Sequence, residues 1–171
     1  MFLIHKFAVW TNRFKKFPNV RRSAWISEKA TIPKSCVIGD RVKIKDRVVL
    51  GENCFINDTV YIGGKITLGK GCLVGVGTKI SSCSKNGSEK LLKPNLPLFP
   101  ENGSVACECD VPIFIGDYVA IGALCTIDKG VTIGNKAIIM SNSAVFDDMP
   151  ANAIVQGNPA KIVGYRLEAE I

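Results

Sequence analysis

The sequence predicts an all-β chain wound as a parallel β-helix of hexapeptide repeats, and three observations carry that prediction. The first is period. Ile26, Ile32, Ile38, Ile44, Leu50, Ile56, Ile62, Leu68, Val74 and Ile80 return at every sixth position without a miss. That spacing fits neither a helix nor an ordinary alternating strand, and hexapeptide periods mark parallel β-helices. The second is the position two before each marker, which in a strand faces the same side. Ala24, Ala30, Cys36, Val42, Val48, Cys54, Val60, Ile66, Cys72 and Thr78 stand there, nearly all small or β-branched as a narrow interior requires. The third is that Cys36, Cys54 and Cys72 recur at a spacing of 18. Steps therefore group in threes, which makes the coil triangular with one thiol per turn. Adjacent coils place such residues roughly 4.8 Å apart. Small buried thiols explain the ladder better than a metal or redox centre.

Composition sets the bounds. A chain of 171 residues is expected to be one domain, 1–171. With 47% hydrophobic and 22% charged residues it can build a core. A formal charge of +7 favours anionic partners such as phosphates, nucleic acid or acidic glycans. A solvated basic surface accounts for the same charge. No apolar run approaches the roughly 18 residues that span a bilayer. The stretch Met1–Trp10 carries His5 and Lys6 and lacks a small-residue cleavage site, which argues against a secretory signal. Seven cysteines, an odd number without a secreted context, point to reduced thiols in the cytoplasm.

In chain order, 1–22 is an N-terminal helical segment. Phe2, Leu3, Phe7, Trp10 and Phe14 fall at helical spacing among Lys6, Arg13, Lys15 and Lys16, and the helix ends before Pro18. Such a helix caps the open end of a β-helix, covering strand edges. Its aromatic and basic residues also suit peripheral membrane contact through 1–17. Residues 24–81 form the first coils, with glycine after the marker at Gly39, Gly51, Gly63, Gly69 and Gly75.

Residues 82–112 break the period as a protruding loop. Ser82 to Ser88 is turn-like, and Pro94, Pro97 and Pro100 follow. From Ile80 to the next marker, Ile115, is 35 residues, so the register is expected to reset. Insertions of this length are usually functional or disordered. Cys107 and Cys109 form a C-x-C pair without a histidine or a second pair nearby, so no metal is expected.

Coils resume over 113–150 with Ile115, Ile121, Ile127, Ile133, Ile139 and Val145. Val119, Cys125, Val131, Ala137 and Ser143 take the second inward position. The two runs amount to a little over five coils. The C-terminal segment, 151–171, passes through Gly157-Asn158-Pro159-Ala160-Lys161 and Tyr165-Arg166 into an expected short C-terminal helix.

Ile115-Gly116-Asp117, Ile121-Gly122-Ala123, Gly130-Val131-Thr132-Ile133-Gly134 and Gly157-Asn158-Pro159-Ala160-Lys161 resemble the hexapeptide-repeat acetyltransferases over about residues 24–166. The galactoside, maltose and xenobiotic enzymes, and those acting on surface polysaccharides and sugar nucleotides, are the similar groups. The resemblance implies a left-handed β-helix, an exception to the right-handed crossover rule. It also implies a homotrimer that uses acetyl-CoA as cosubstrate, bound between subunits, with the loop of one subunit closing the site. The implied acceptor is a hydroxyl or amine of a sugar or polysaccharide precursor, not a nucleic acid.

Carried over residue by residue, the resemblance assigns an oxyanion-binding backbone N–H to Gly122-Ala123. It places Ser141 along the pantetheine arm, and Lys161 and Arg166 near the coenzyme phosphates. Asn57 and Asp58, polar residues at a coil corner, fall where relatives hold the acceptor, although surface turns prefer the same residues. Two departures stand out. Phe146-Asp147 replaces a Thr-Lys pair, and the histidine that relatives place at the loop start falls near Lys85. His5 is the sole histidine.

Three explanations stay open: an amine acceptor needing little base catalysis, a shifted group such as Lys85, Cys83, Asp110 or Glu108 as base, or lost catalysis. A non-catalytic trimeric scaffold of the same fold is the alternative function. A zinc carbonic anhydrase fails on histidine count, and a nucleotidyltransferase lacks room for its nucleotide-binding domain.

Overall fold

The structure, a computed structural model, describes residues 19–82 and 111–167. The expected N-terminal helix and nearly all of the expected loop lie outside these residues. What is described is all β, arranged as three sheets that form the sides of a triangular coil.

The apolar face stacks Val37–Ile38, Phe55–Ile56, Leu73–Val74, Ala120–Ile121, Ile138–Ile139 and Ala153–Gly157, and ends on Ala160–Tyr165. The basic face stacks Trp25–Ile26, Lys43–Ile44, Tyr61–Gly63, Lys79–Ser81, Thr126–Ile127 and Ala144–Val145. The third face stacks Val48–Leu50, Ile66–Leu68, Ile113–Ile115 and Thr132–Ile133. Every pairing is parallel until the last. The coils make about six turns rather than the little over five expected. Val20 bridges to Ile38 below the first strands, and Met149 and Val155 extend the stack above Val145.

Markers face inward as expected. Ile38, Ile44, Ile56, Ile62, Ile80, Ile121 and Ile127 are fully buried, and so are Val42, Val48 and Ala137 at the second inward position. The inward thiols also bind the corners. Cys36 donates to the Gly51 carbonyl at 3.2 Å, Cys54 to Gly69 at 3.1 Å and Cys72 to Gly116 at 3.1 Å. Thr78, wholly buried, donates to the Gly122 carbonyl at 2.8 Å and accepts the Cys125 N–H at 3.2 Å. Each buried polar group named here therefore keeps a partner, which avoids the cost of an orphan.

Strands are short because the chain must turn every six residues. The turns use left-handed backbone at Arg41, Thr59, Leu124 and Asn142, with φ of 56°, 58°, 57° and 62°, and at Gly77 with φ 69°. That conformation costs roughly 1–2 kcal/mol for a residue with a Cβ. Inter-coil bonds offset it: Thr59 N–H to Asp40 O at 2.8 Å, Gly77 N–H to Asp58 O at 3.0 Å and Leu124 N–H to Val76 O at 2.8 Å.

Two sequence expectations need correction. The register does not reset at the insertion. Stacked partners lie 18 residues apart below it and 47 apart across it, yet Ile113 and Ile115 sit on Ile66 and Leu68 in register. The extra chain leaves from a corner, at Ser82, and returns to the next face in turn. Ser82 is tied to the coil below, its N–H on the Gly63 carbonyl at 3.1 Å and its Oγ accepting the Lys65 N–H at 2.8 Å.

The second correction concerns the C-terminal helix. Residues 153–165 form a β-hairpin, with Ala160–Tyr165 antiparallel to Ala153–Gly157. The physical reason is the open edge of the apolar face, whose unpaired N–H and C=O groups a returning strand satisfies. Ile162 and Val163 suit a strand. Residues 168–171 lie outside the described residues.

Candidate functional site

The corner between the apolar and basic faces runs the length of the stack and carries most of the expected site residues. Going up the coils, it holds Gly39–Arg41, Asn57–Thr59, Gly75–Gly77, Gly122–Leu124 and Ser141–Asn142. Asn57, Asp58, Gly122, Ala123 and Ser141 are thus brought to one edge. Lys161 sits near its upper end, paired with Gln156 beside Gly157, whose N–H donates to Ser143 Oγ at 3.2 Å. Arg166 is not brought there. Its N–H donates to Asn152 O at 2.7 Å and its Nη1 to Lys136 O at 3.2 Å, at the opposite edge of the apolar face.

Packing explains the glycines on this edge. A Cβ at Gly75 would stand 2.5 Å from the Ala123 nitrogen, and one at Gly122 would stand 2.5 Å from the Ser141 nitrogen. The backbone of each corner rests directly on the glycine below it. Polar side chains then cap the corner below. Asp58 Oδ1 accepts the Asp40 N–H at 2.8 Å, whereas Asn57 Oδ1 accepts the Asp58 N–H at 3.0 Å within its own corner. Ser141 Oγ accepts the Ala123 N–H at 3.1 Å. The same device repeats on the next edge, where Asp117 caps Lys70 at 2.9 Å and Asn135 caps Asp117 at 2.9 Å.

These caps bear on the expected oxyanion donor. Gly122 N–H donates to Ile139 O at 2.8 Å, Ala123 to Ser141, Leu124 to Val76 and Cys125 to Thr78. An oxyanion at Ala123 would have to take the place of the Ser141 hydroxyl. Three residues absent from the sequence reading also mark this edge. Val76, Leu124 and Met140 are apolar and 41%, 62% and 42% exposed at positions where a turn favours polar residues. The signal was present in the sequence as apolar side chains out of phase with the six-residue period.

The thiols are poor nucleophiles here. Cys36 is pushed well above the ordinary thiol range by its hydrogen bond with the Cys54 thiol and by burial. Cys54 also rises: the Cys36 contact lowers it, but the Cys72 contact and burial outweigh that. Burial raises Cys125, whereas the Cys54 hydrogen bond lowers Cys72. All four are shut from solvent. Among the described residues no group of three or more His, Cys, Asp or Glu side chains could hold a metal ion. No helix among them is long and apolar enough to cross a membrane. Lys85, Cys83, Glu108, Asp110, Cys107, Cys109 and His5 lie outside the described residues.

No family model matches the chain. A stretch of 59 residues, 34% of this chain, is 41% identical to a Staphylococcus aureus 2,3,4,5-tetrahydropyridine-2,6-dicarboxylate N-acetyltransferase and covers 25% of that protein. The chain spans a quarter to a third of the length of the curated relatives it matches. Among solved structures it is similar to a hexapeptide-repeat acetyltransferase of Vibrio cholerae O1 biovar eltor, crystallised with acetyl coenzyme A. That likeness has TM-score 0.59 at 24% identity, over 96% of this chain and 78% of the other. It is also similar to a maltose O-acetyltransferase of Clostridium difficile 630, with TM-score 0.66 at 24% identity, over 82% and 72% of the two chains. The fold is thus the left-handed β-helix expected.

Proposed function

We propose that the chain is an acetyl-CoA-dependent acetyltransferase that moves the acetyl group to a hydroxyl or amine of a sugar or polysaccharide precursor, working as a homotrimer. The observation that carries this reading is the corner column. Gly122, Ala123 and Ser141 stand on it beside exposed Val76, Leu124 and Met140, in a coil similar to those of acetyltransferases. The methyl and methylene groups of an extended pantetheine arm suit a line of exposed apolar side chains, and Lys161 near the upper end offers a cation for phosphate. A row of outward apolar residues, Val37, Phe55, Leu73, Ala120, Ile138 and Ile154, supports contact between copies.

The chemistry balances simply. The acceptor oxygen or nitrogen attacks the thioester carbonyl, the new ester or amide bond forms and the C–S bond breaks. The acceptor proton passes to a base, and the departing thiolate takes up a proton. Lys85 and Cys83 are the proposed candidates for that base. Asn57 and Asp58 are the proposed acceptor ligands; Asn57 Oδ1 and Asp58 Oδ1 already accept backbone N–H groups, which leaves Asp58 Oδ2 and the Asn57 amide N–H groups for that role.

A non-catalytic scaffold is the second reading. One observation favours it: all four N–H groups of Gly122 to Cys125 are engaged within the coil. Incubation with acetyl-CoA and a panel of sugars and amino sugars, read by mass spectrometry of acetylated product, separates the two. Acceptor-dependent product supports the enzyme. No product, together with no rise in Tm at saturating coenzyme A, overturns it in favour of the scaffold, since a bound ligand must stabilise the folded state.

A further inference from the structure

The basic face carries a feature that neither the corner column nor its chemistry uses. In its outward row Trp25, Lys43, Tyr61 and Lys79 stand in register on four adjacent strands, aromatic and cation in alternation. Beside this row, toward the shared corner, opens a groove of about 480 Å³ lined by Ser23, Trp25, Arg41, Lys43, Thr59, Val60 and Tyr61. That size falls within the range of small-molecule sites.

The charged groups of its lining are cations. Arg41 and Lys43 line it and no carboxylate does. Two acids stand at its rim, turned to donors of the corner: Asp40 Oδ1 accepts the hydroxyl of the lining residue Ser23 at 2.8 Å, and Asp58 Oδ1 accepts the Asp40 N–H at 2.8 Å. Neither Arg41 nor Lys43 has an ion-pair partner among the described residues. A third cation, Lys45, lies with its Nζ 4.7 Å from the centre of the Trp25 ring. Backbone pairing holds Lys43 between two aromatic neighbours at a strand spacing of roughly 4.8 Å, so these positions cannot spread far apart.

We infer that this groove binds a saccharide carrying an acidic group, with the sugar ring on Trp25 and Tyr61 and its phosphate or carboxylate on Arg41 and Lys43. Three requirements of such a ligand meet here. The aromatic rings offer flat apolar surface to the C–H face of a sugar. Arg41 and Lys43 supply donors for a charge-assisted pair. The Thr59 hydroxyl donates to the Asp58 carbonyl and retains acceptor capacity for a sugar hydroxyl, and the Ser23 hydroxyl, which donates to Asp40 and accepts the Arg41 N–H at 2.7 Å, retains one lone pair. The site would give the proposed acetyltransferase an acidic acceptor, and in that respect it rests on that reading. Binding itself does not depend on it.

The test uses the full chain with Trp10→Phe, so that fluorescence reports Trp25 alone, and needs no acetyl donor. Glucose 1-phosphate and glucuronate should quench the signal saturably. Glucose and inorganic phosphate should each bind at least about tenfold more weakly. Lys43→Gln and Arg41→Asn, the latter chosen because Asn tolerates the left-handed backbone at position 41, should each weaken glucose 1-phosphate by about tenfold without lowering Tm.

Tyr61→Ala should weaken both acidic sugars while leaving weak phosphate binding unchanged. Glucose binding as tightly as glucose 1-phosphate would overturn the proposal. So would inorganic phosphate binding equally well, which would mean an adventitious ion only, and so would variants that bind as the parent does. Saturable binding here, with no product when acetyl-CoA and the sugar panel are then supplied, would uphold the groove and count against the enzyme reading instead.

Discussion

The apolar face and the basic face share one interior and present opposite exteriors. Inward, both stack branched aliphatic side chains: Ile38, Ile56, Val74 and Ile121 on one, Ile44, Ile62, Ile80 and Ile127 on the other. Outward, one row reads Val37, Phe55, Leu73, Ala120, Ile138 and Ile154, and the other Trp25, Lys43, Tyr61, Lys79 and Thr126. The difference teaches where this architecture keeps its freedom. Coil geometry consumes the inward positions and the corner glycines, while the outward row of each side can be specialised at little cost to the frame.

The largest expected effect tests the shared interior. Ile121→Ala and Ile127→Ala, one behind each face, should each cost about 2–5 kcal/mol by denaturant unfolding, because both leave cavities in a packed stack. A loss confined to one of them would mean that the two faces do not share a frame. Next comes the exterior of the apolar face. If the proposed trimer packs through this face, Phe55→Lys with Leu73→Lys should shift it toward monomer in sedimentation, with the association constant falling at least about tenfold for two apolar anchors lost. Lys43→Gln with Lys79→Gln on the other face should leave assembly unchanged.

A smaller effect is expected at the corner that joins the faces. Asp58→Ala removes the acceptor for the Asp40 N–H and should lower stability by about 1 kcal/mol, since that amide stays open to water. The smallest is pH dependence. Cys36, Cys54 and Cys125 have folded values raised above the ordinary thiol value of 9.0, so above that pH the unfolded chain releases protons first. Their contribution is complete below pH 9 and declines as pH rises past it, with lowered Cys72 acting in the opposite sense. Thermal melts at pH 7.5 and 10 should show Tm falling, and Cys125→Ala should flatten the fall.

How much of this was legible in the sequence differs by feature. The inward set was, because a marker and its partner two residues earlier need nothing but the pleat of a strand. Ala30 is the mild exception, half-buried in the first coil rather than enclosed. The corner residues were legible as a group, yet their work was not. Asp58 and Ser141 read as ligands in sequence, whereas the fold shows them capping N–H groups of residues 18 positions away. Arg166 looked like a neighbour of Lys161 and lies across the apolar face from it, because the hairpin runs the intervening chain the width of a sheet.

The sequence by itself determined the period, the triangular grouping and which side chains face inward, since these follow from local backbone alternation and residue volume. Tertiary structure alone decided which residues form rows. Trp25, Lys43, Tyr61 and Lys79 become neighbours, and Leu68 meets Ile115 across the insertion, because parallel pairing is set by hydrogen bonds between coils and is indifferent to the length of chain that joins them. The C-terminal hairpin belongs to the same class. Its strand forms because an open sheet edge is there to be paired, a condition that no stretch of residues 153–165 carries on its own.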